Sequence, residues 1–161
     1  PMRPLVLLAL AAAPAAAADA VHTVMAPLTT PKKPGDKRVT EPYDKTPLHV
    51  WLPDGVPVVR GALVNPFYAK TAEQKHWQEC CRLWGFALVG ADFFGVKGTE
   101  FGSTLTGGLK RLGDEVQRPE LAHVPFLFVG MSAGGGMSMQ FTEQLPARTI
   151  ACAPVCLEVG P

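Results

Sequence analysis

The sequence predicts an α/β fold, with a mostly parallel sheet and helices on both faces. The first observation is that apolar segments of strand length alternate with helical segments from residue 48 onward. Such alternation requires crossover connections, which leave successive strands parallel. The second is that the segment 124–129 is apolar on both faces, as expected of a strand that helices cover from both sides.

The composition is that of a globular domain. The chain has 161 residues, of which 47% are hydrophobic and 18% charged, so it is long enough and apolar enough to bury a core. The formal net charge is +1 and no basic stripe carries interleaved aromatic residues. We therefore expect no nucleic-acid partner.

The first twenty residues have the order of a secretory signal peptide. Arg3 is followed by an apolar stretch over 5–13 and by small residues at 16–18, before Asp19. The apolar stretch is too short for a stable membrane span. The sequence thus predicts a signal peptide over 1–20 and a secreted or periplasmic protein, the alternatives being an N-terminal anchor or a buried helix.

Two further regions follow the predicted signal peptide. The segment 21–47 is rich in Pro, Thr and Lys and is interpreted as an arm or linker. The partial α/β domain then occupies 48–161. We expect strands at 48–52, 58–64, 86–93, 124–129 and 149–155. We expect three helices: one that starts with a capping-box pair at Thr71 and Gln74 and stops at Gly85, one over 104–118 and one over 133–145.

The chemistry is carried by the motif Gly130-Met131-Ser132-Ala133-Gly134, between the most apolar predicted strand and a predicted helix. Glycines at both flanks let strand and helix meet closely around a tight turn. The turn lifts the serine hydroxyl above the sheet, and the next N–H, that of Ala133, can bind an oxyanion. A turn that only packs helix on sheet is the alternative. A phosphate loop is disfavoured because the Gly-Lys-Ser/Thr ending is absent.

On this motif and on its strand–helix context, the segment 58–155 resembles the α/β-hydrolase family. The resemblance implies a catalytic Ser132 and an oxyanion hole that Ala133 shares with the loop after Asn65. Phe67 or Tyr68 would donate there, because the proline between Asn65 and Phe67 has no N–H. The family's His-Gly-Gly pattern is absent, and an ordinary strand-to-helix loop is the alternative.

The resemblance also implies an acid and then a histidine after the serine. Here Glu143 and Glu158 are the acidic residues after Ser132, and neither is at the family's usual position. All four histidines precede the motif: His22, His49, His76 and His123. We therefore expect a fold truncated after the strand that follows the motif's helix, with acid and histidine beyond residue 161. An inactive remnant is the alternative.

The remaining polar residues give no metal or cofactor site. Cys80 and Cys81 are adjacent, and Cys152 and Cys156 are four apart, so neither pair has zinc-ligand spacing. A disulfide between the two pairs and plain buried thiols both stay open. Asp92, after a predicted strand, is interpreted as a loop cap, with a pocket-lining role as the alternative.

The sequence thus predicts a serine hydrolase that cleaves a small-molecule or polymer ester through an acyl-enzyme on Ser132. No cofactor is expected, and the oligomeric state is not predicted. The alternative is a non-catalytic binding module on the same fold, because a fold alone does not set function.

Overall fold

The computed structural model describes residues 20–35, 37–39 and 41–156. The predicted signal peptide, apart from Ala20, lies outside the described residues, as do the last five residues of the predicted domain. The described chain forms six strands and three helices: β1 (Val21–Pro27), β2 (Lys45–Trp51), β3 (Gly61–Asn65), α1 (Lys75–Trp84), β4 (Phe86–Ala91), α2 (Phe101–Glu115), β5 (Phe126–Met131), α3 (Ala133–Gln144) and β6 (Thr149–Val155).

The strands form one sheet in the order β1-β2-β4-β3-β5-β6. Strands β4, β3, β5 and β6 are parallel to one another, and β1 and β2 add antiparallel strands at one edge. The predicted mostly parallel sheet is therefore confirmed. Because β3, β4, β5 and β6 run in the same direction, the loops that leave their carboxyl ends meet at one edge of the sheet.

Helices cover both faces of the sheet, also as predicted. α2 packs on β1, and α3 packs on β5 and β6, over the larger core. α1 packs on the opposite face, where Cys81 joins Trp51 and Leu88 in a smaller core. Alternate residues of β5 supply both cores: Phe128 is fully buried among the rings under α2 and α3, and Val129 packs on the other side. Each such ring contributes about 1.5–3 kcal/mol by leaving water.

The interpretation of 21–47 as an arm or linker is corrected at both ends. Val21–Pro27 is strand β1, paired antiparallel with β2, and β2 itself begins at Lys45. The physical reason is that Val24 and Ala26 point the same way along an extended chain and are buried beneath α2. The segment between the two strands folds back on itself, since the Leu28 N–H donates to the Asp44 carbonyl at 2.9 Å.

The predicted capping box is wrong as well. Thr71 lies buried in a 3₁₀ turn over Ala69–Glu73, and α1 begins only after Gln74, whose side chain makes no cap hydrogen bond. The turn closes through the Gln74 N–H, which donates to the Thr71 carbonyl at 3.1 Å. The C-terminal stop is confirmed: Gly85 takes the left-handed conformation, φ 68°, that a side chain disfavours.

All four cysteines are free. Cys81 belongs to the small core under α1, whereas Cys152 packs on the large core of the opposite face. Burial, helped by the neighbouring Cys80, raises the pKa of the Cys81 thiol to about 12. Plain thiols are therefore what the structure has. In the described part of the chain, no helix is both long and apolar enough to cross a membrane.

Candidate active site

Ser132 alone separates β5, which ends at Met131, from α3, which begins at Ala133. A direct passage from strand to helix needs a sharp reversal, and Ser132 provides it with φ 51° and ψ −120°. A non-glycine residue rarely adopts a positive φ, and one held there stores strain. The side chain of Ser132 is exposed at the carboxyl edge of the sheet.

Glycines make room for this turn. A Cβ on Gly130 would overlap the carbonyl group of Gly134, where the end of β5 touches the first turn of α3. A Cβ on Gly134 would lie 2.9 Å from the Cβ of Phe67. The two glycines that flank the serine in the sequence motif are therefore required by contacts on two different sides of the turn.

Backbone hydrogen bonds hold Ser132 in place. Its N–H donates to the Val155 carbonyl of β6 at 2.9 Å, and its carbonyl accepts the N–H of Gly135 at 2.9 Å and that of Gly136 at 3.2 Å. The N–H of Ala133, at the first position of α3, has no carbonyl acceptor within its own helix. That N–H is next to the serine and at the positive end of the helix dipole, a position suited to a developing negative charge.

The loop after β3 lies against the turn. β3 and β5 are neighbouring parallel strands, so Asn65 and Ser132 leave the sheet at the same edge. The N–H of Phe67 donates to the Asn65 side chain at 3.2 Å. The N–H of Tyr68 has no hydrogen bond to any residue that the structure describes. Of the two predicted oxyanion donors in this loop, Tyr68 is therefore the one with its N–H available.

The four histidines of the described chain lie on other elements than the turn that contains Ser132. His22 and His49 are on the antiparallel strands, and His49 Nδ1 is 3.1 Å from the hydroxyl of Thr23. His76 is on α1 beside a tryptophan ring. His123 precedes β5, so the six-residue strand places it about 20 Å from Ser132.

The acidic residues after Ser132 are no closer to a catalytic arrangement. Glu143 is exposed near the end of α3, about 16 Å along the helix from Ser132. Glu158 lies outside the described residues. The structure thus brings together Ser132, Ala133 and the loop that carries Phe67 and Tyr68, without adding a histidine or carboxylate to them within its described part.

The loop after β4 completes this edge of the sheet. A carboxylate oxygen of Asp92 accepts the Phe94 N–H at 2.9 Å, as expected of a loop cap. The buried Lys32 approaches this carboxylate. Burial lowers the pKa of the Lys32 ammonium below its ordinary value, while the charge of Asp92 opposes that shift.

A pocket of about 550 Å³ opens beside Phe94. Thr30, Pro31, Lys33 and Val39 form one wall, and Lys97 lies on the loop after β4. The sequence does not predict this pocket, because the segment 21–47 has the composition of a linker. The lysines and prolines of that segment were the available signal, but nothing in their spacing places them against Phe94.

Metal binding has no evident site here. Among the residues that the structure describes, no group of three His, Cys, Asp or Glu side chains is placed to hold a metal ion.

The fold is that of the α/β-hydrolases, as comparison with solved structures shows. The yeast peroxisomal α/β-hydrolase Lpx1 (Saccharomyces cerevisiae) matches with a TM-score of 0.50 and 13% identity, over 89% of this chain and 47% of its own. A bacterial heroin esterase matches with a TM-score of 0.48 and 17% identity, over 84% of this chain and 42% of its own. Lipase A of Candida antarctica matches with a TM-score of 0.44 and 14% identity, over 69% of this chain and 33% of its own. The chain therefore spans less than half the length of each. No protein-family model and no curated protein matches the sequence.

Proposed function

We propose that this chain, which has part of the α/β-hydrolase fold, is the nucleophile-bearing portion of a serine hydrolase that cleaves carboxylic esters. The observation that carries the proposal is the strain at Ser132. The passage from strand to helix needs φ 51° and ψ −120° at a single residue, and although glycines surround this position, a serine with an exposed side chain occupies it. Strain kept at a residue with a reactive group is typical of functional sites.

The proposed chemistry is acyl transfer. The Ser132 Oγ attacks the ester carbonyl carbon as its proton passes to a general base, and the carbonyl oxygen becomes an oxyanion. The N–H groups of Ala133 and Tyr68 would hold that oxyanion, and collapse of the intermediate expels the alcohol and leaves the acyl group on Ser132. Water then releases the acid. We expect the base and its acidic partner to come from a part of the protein outside the described residues.

The names of two similar proteins are the reason for proposing esters. The proteins above include one named an esterase and one named a lipase. Their low identity ties them to this chain through the fold alone, so the ester class is part of the proposal.

Hydrolysis of 4-nitrophenyl butyrate by the full-length protein tests this proposal. We expect Ser132→Ala to lower kcat/KM by about 10⁴-fold or more, as removal of a nucleophile does. Ser103→Ala is the matched control. Ser103, on α2, is also exposed, but its hydroxyl donates to the carbonyl of Glu100. Equal hydrolysis by wild type and Ser132→Ala would refute the role of Ser132, and a folded wild type without activity would favour a binding module.

We also propose that the protein is exported. The support is the order of charge, apolar stretch and small residues in the first twenty positions. N-terminal sequencing of the protein recovered from the medium or periplasm checks it. A new N-terminus near Asp19 is expected, and a chain that stays in the cytoplasm with these residues attached contradicts it.

A further inference from the structure

We propose that the pocket beside Phe94 binds an anionic group of the substrate, so that the preferred esters carry a carboxylate on an apolar segment. This rests on the proposed function of Ser132 and adds the substrate class to it. The described lining of the pocket combines apolar side chains with the two ammonium groups of Lys33 and Lys97. Its volume, about 550 Å³, lies in the range of small-molecule sites.

Two aromatic side chains, Phe67 and Phe94, connect the pocket to the turn that contains Ser132. Phe67 contacts the first turn of α3 at Gly134. Its ring centroid is 6.0 Å from that of Phe94, which lines the pocket. The two loops are also joined by the backbone, because the Phe93 N–H donates to the Pro66 carbonyl at 3.0 Å. A substrate at Ser132 can therefore extend along Phe67 and Phe94 into the pocket.

The electrostatics of the pocket favour an anion. Besides Lys33 and Lys97, the guanidinium of Arg38 lies 3.9 Å from the centre of the Phe94 ring. The carboxylates of the described surroundings are those of Glu100, which accepts the N–H groups of Thr29 and Thr30 at 3.0 and 3.1 Å, of Asp92, whose charge acts on the buried Lys32, and of Glu143, which lines an adjoining pocket with Lys97. None of these three carboxylates belongs to the described lining of the pocket, whose charged residues are the two lysines.

Glu100 also explains how the wall of the pocket is fixed. Hydrogen bonds from Thr30, first from its hydroxyl and then from its N–H, hold the pKa of Glu100 below its ordinary value, so this carboxylate stays charged at neutral pH. It ties the segment before Lys33 to the start of α2. The lysines therefore stand on anchored backbone, although their own side chains are exposed.

The shape of the pocket selects where the anion sits on the substrate. Val39, Pro31 and the Phe94 ring give the pocket apolar lining, and the exposed residues Lys33 and Lys97 add two ammonium groups to it. An aliphatic or aromatic segment can bury its apolar surface on that lining while a terminal carboxylate reaches the lysines. Neutral esters lack the second interaction, so the discrimination comes from charge.

A matched series of esters tests the substrate class with the full-length protein. The substrates are mono(4-nitrophenyl) esters of dicarboxylic acids from glutaric to suberic acid, each compared with its neutral methyl ester. We expect kcat/KM to favour the anionic ester at one chain length by about tenfold, a factor that falls as salt screens the lysines. Lys33→Gln/Lys97→Gln should bring the ratio of kcat/KM for the anionic ester and its methyl ester to about one, through a higher KM for the anionic ester. Lys75→Gln, an exposed lysine of α1, is the control.

A binding measurement separates this inference from the proposed function. The corresponding mono-4-nitroanilides resist hydrolysis, and titration calorimetry can follow their binding to the Ser132→Ala protein. With both lysines present, we expect the Kd of the anionic anilide to be about tenfold lower than that of its methyl ester. Lysine-dependent binding without any ester hydrolysis would uphold the anion pocket and refute the hydrolase. Hydrolysis of neutral and anionic esters at equal rates, with equal binding by the double variant, would overturn the pocket and leave the hydrolase intact.

Discussion

Two connections leave neighbouring parallel strands at the same edge of the sheet, and they are built in opposite ways. After β3 the chain takes residues 66–74 to reach α1, through an Asn65 side-chain hydrogen bond and a 3₁₀ turn. After β5 it reaches α3 through Ser132 alone. The first connection tolerates a proline and the large rings of Phe67 and Tyr68, whereas the second has a positive φ and is enclosed by glycines.

The difference marks the turn that we propose to carry the catalytic serine. A long connection spreads the change of direction over many residues, so each keeps a relaxed backbone. The short connection concentrates it at one residue, and that residue has a hydroxyl at the edge where both loops meet. The strain at Ser132 is therefore a property of the site that the neighbouring loop shows to be avoidable.

The largest expected effect is that of Gly130→Ala. The added methyl overlaps the carbonyl of Gly134, which is backbone and cannot rotate away. We expect a loss of about 3 kcal/mol in the free energy of unfolding, with loss of activity as the turn shifts. Denaturant unfolding of the full-length protein measures it. A change below about 0.5 kcal/mol would show that the turn is not rigid.

Gly134→Ala tests the contact between the two connections. Its methyl meets the Cβ of Phe67, so we expect a loss of about 1–3 kcal/mol. Phe67→Ala keeps that Cβ and should leave the loss in place, whereas Phe67→Gly should relieve it. A double-mutant cycle on the unfolding free energies gives the coupling. Equal costs of Gly134→Ala in all three backgrounds would contradict the contact.

Asn65→Ala tests the relaxed connection. It removes the acceptor of the Phe67 N–H and should cost about 1 kcal/mol, the usual value of one hydrogen bond. Asn65→Asp keeps a carbonyl-type acceptor at the same place and should restore the unfolding midpoint. If both variants behave alike, the side-chain hydrogen bond does not support this loop.

Gly107→Ala has the smallest expected effect, and it is of opposite sign. Gly107 is exposed on α2, and no atom lies within 4 Å of its added methyl. We expect a gain of about 0.5–1 kcal/mol, because alanine is a better helix former than glycine. The adjacent Gly108 is the control: its methyl would strike Leu48 of β2, so Gly108→Ala should destabilise. A loss of stability in Gly107→Ala would disprove the distinction between the two glycines.

The sequence predicted much of the fold because its signals are local. Thr149–Val155 is a strand with the expected bounds, and α3 begins at the expected Ala133. β1 was missed because Val24 and Ala26 are buried by pairing with β2 and by packing under α2, partners that come later in the chain. The capping pair at Thr71 failed because burial in a 3₁₀ turn overrode a local pattern.

The candidate site also has a part that the sequence predicts and a part that it does not. Ser132 and its glycines stand together in the sequence, so their motif could be recognised before the fold was known. The approach of Phe67 to the turn depends on the order of strands in the sheet. The placement of Lys33 in the pocket beside Phe94 depends on how the chain runs between β1 and β2. No spacing in the sequence encodes either arrangement.

Covalent labelling shows whether Ser132 is the activated nucleophile that we propose. The full-length protein is reacted with a fluorophosphonate probe and digested, and the modified peptide is identified by mass spectrometry. We expect one label, on Ser132, with Ser103 and Ser138 unmodified and no label in Ser132→Ala. A folded protein that never reacts, or one that reacts equally well without Ser132, would contradict this expectation.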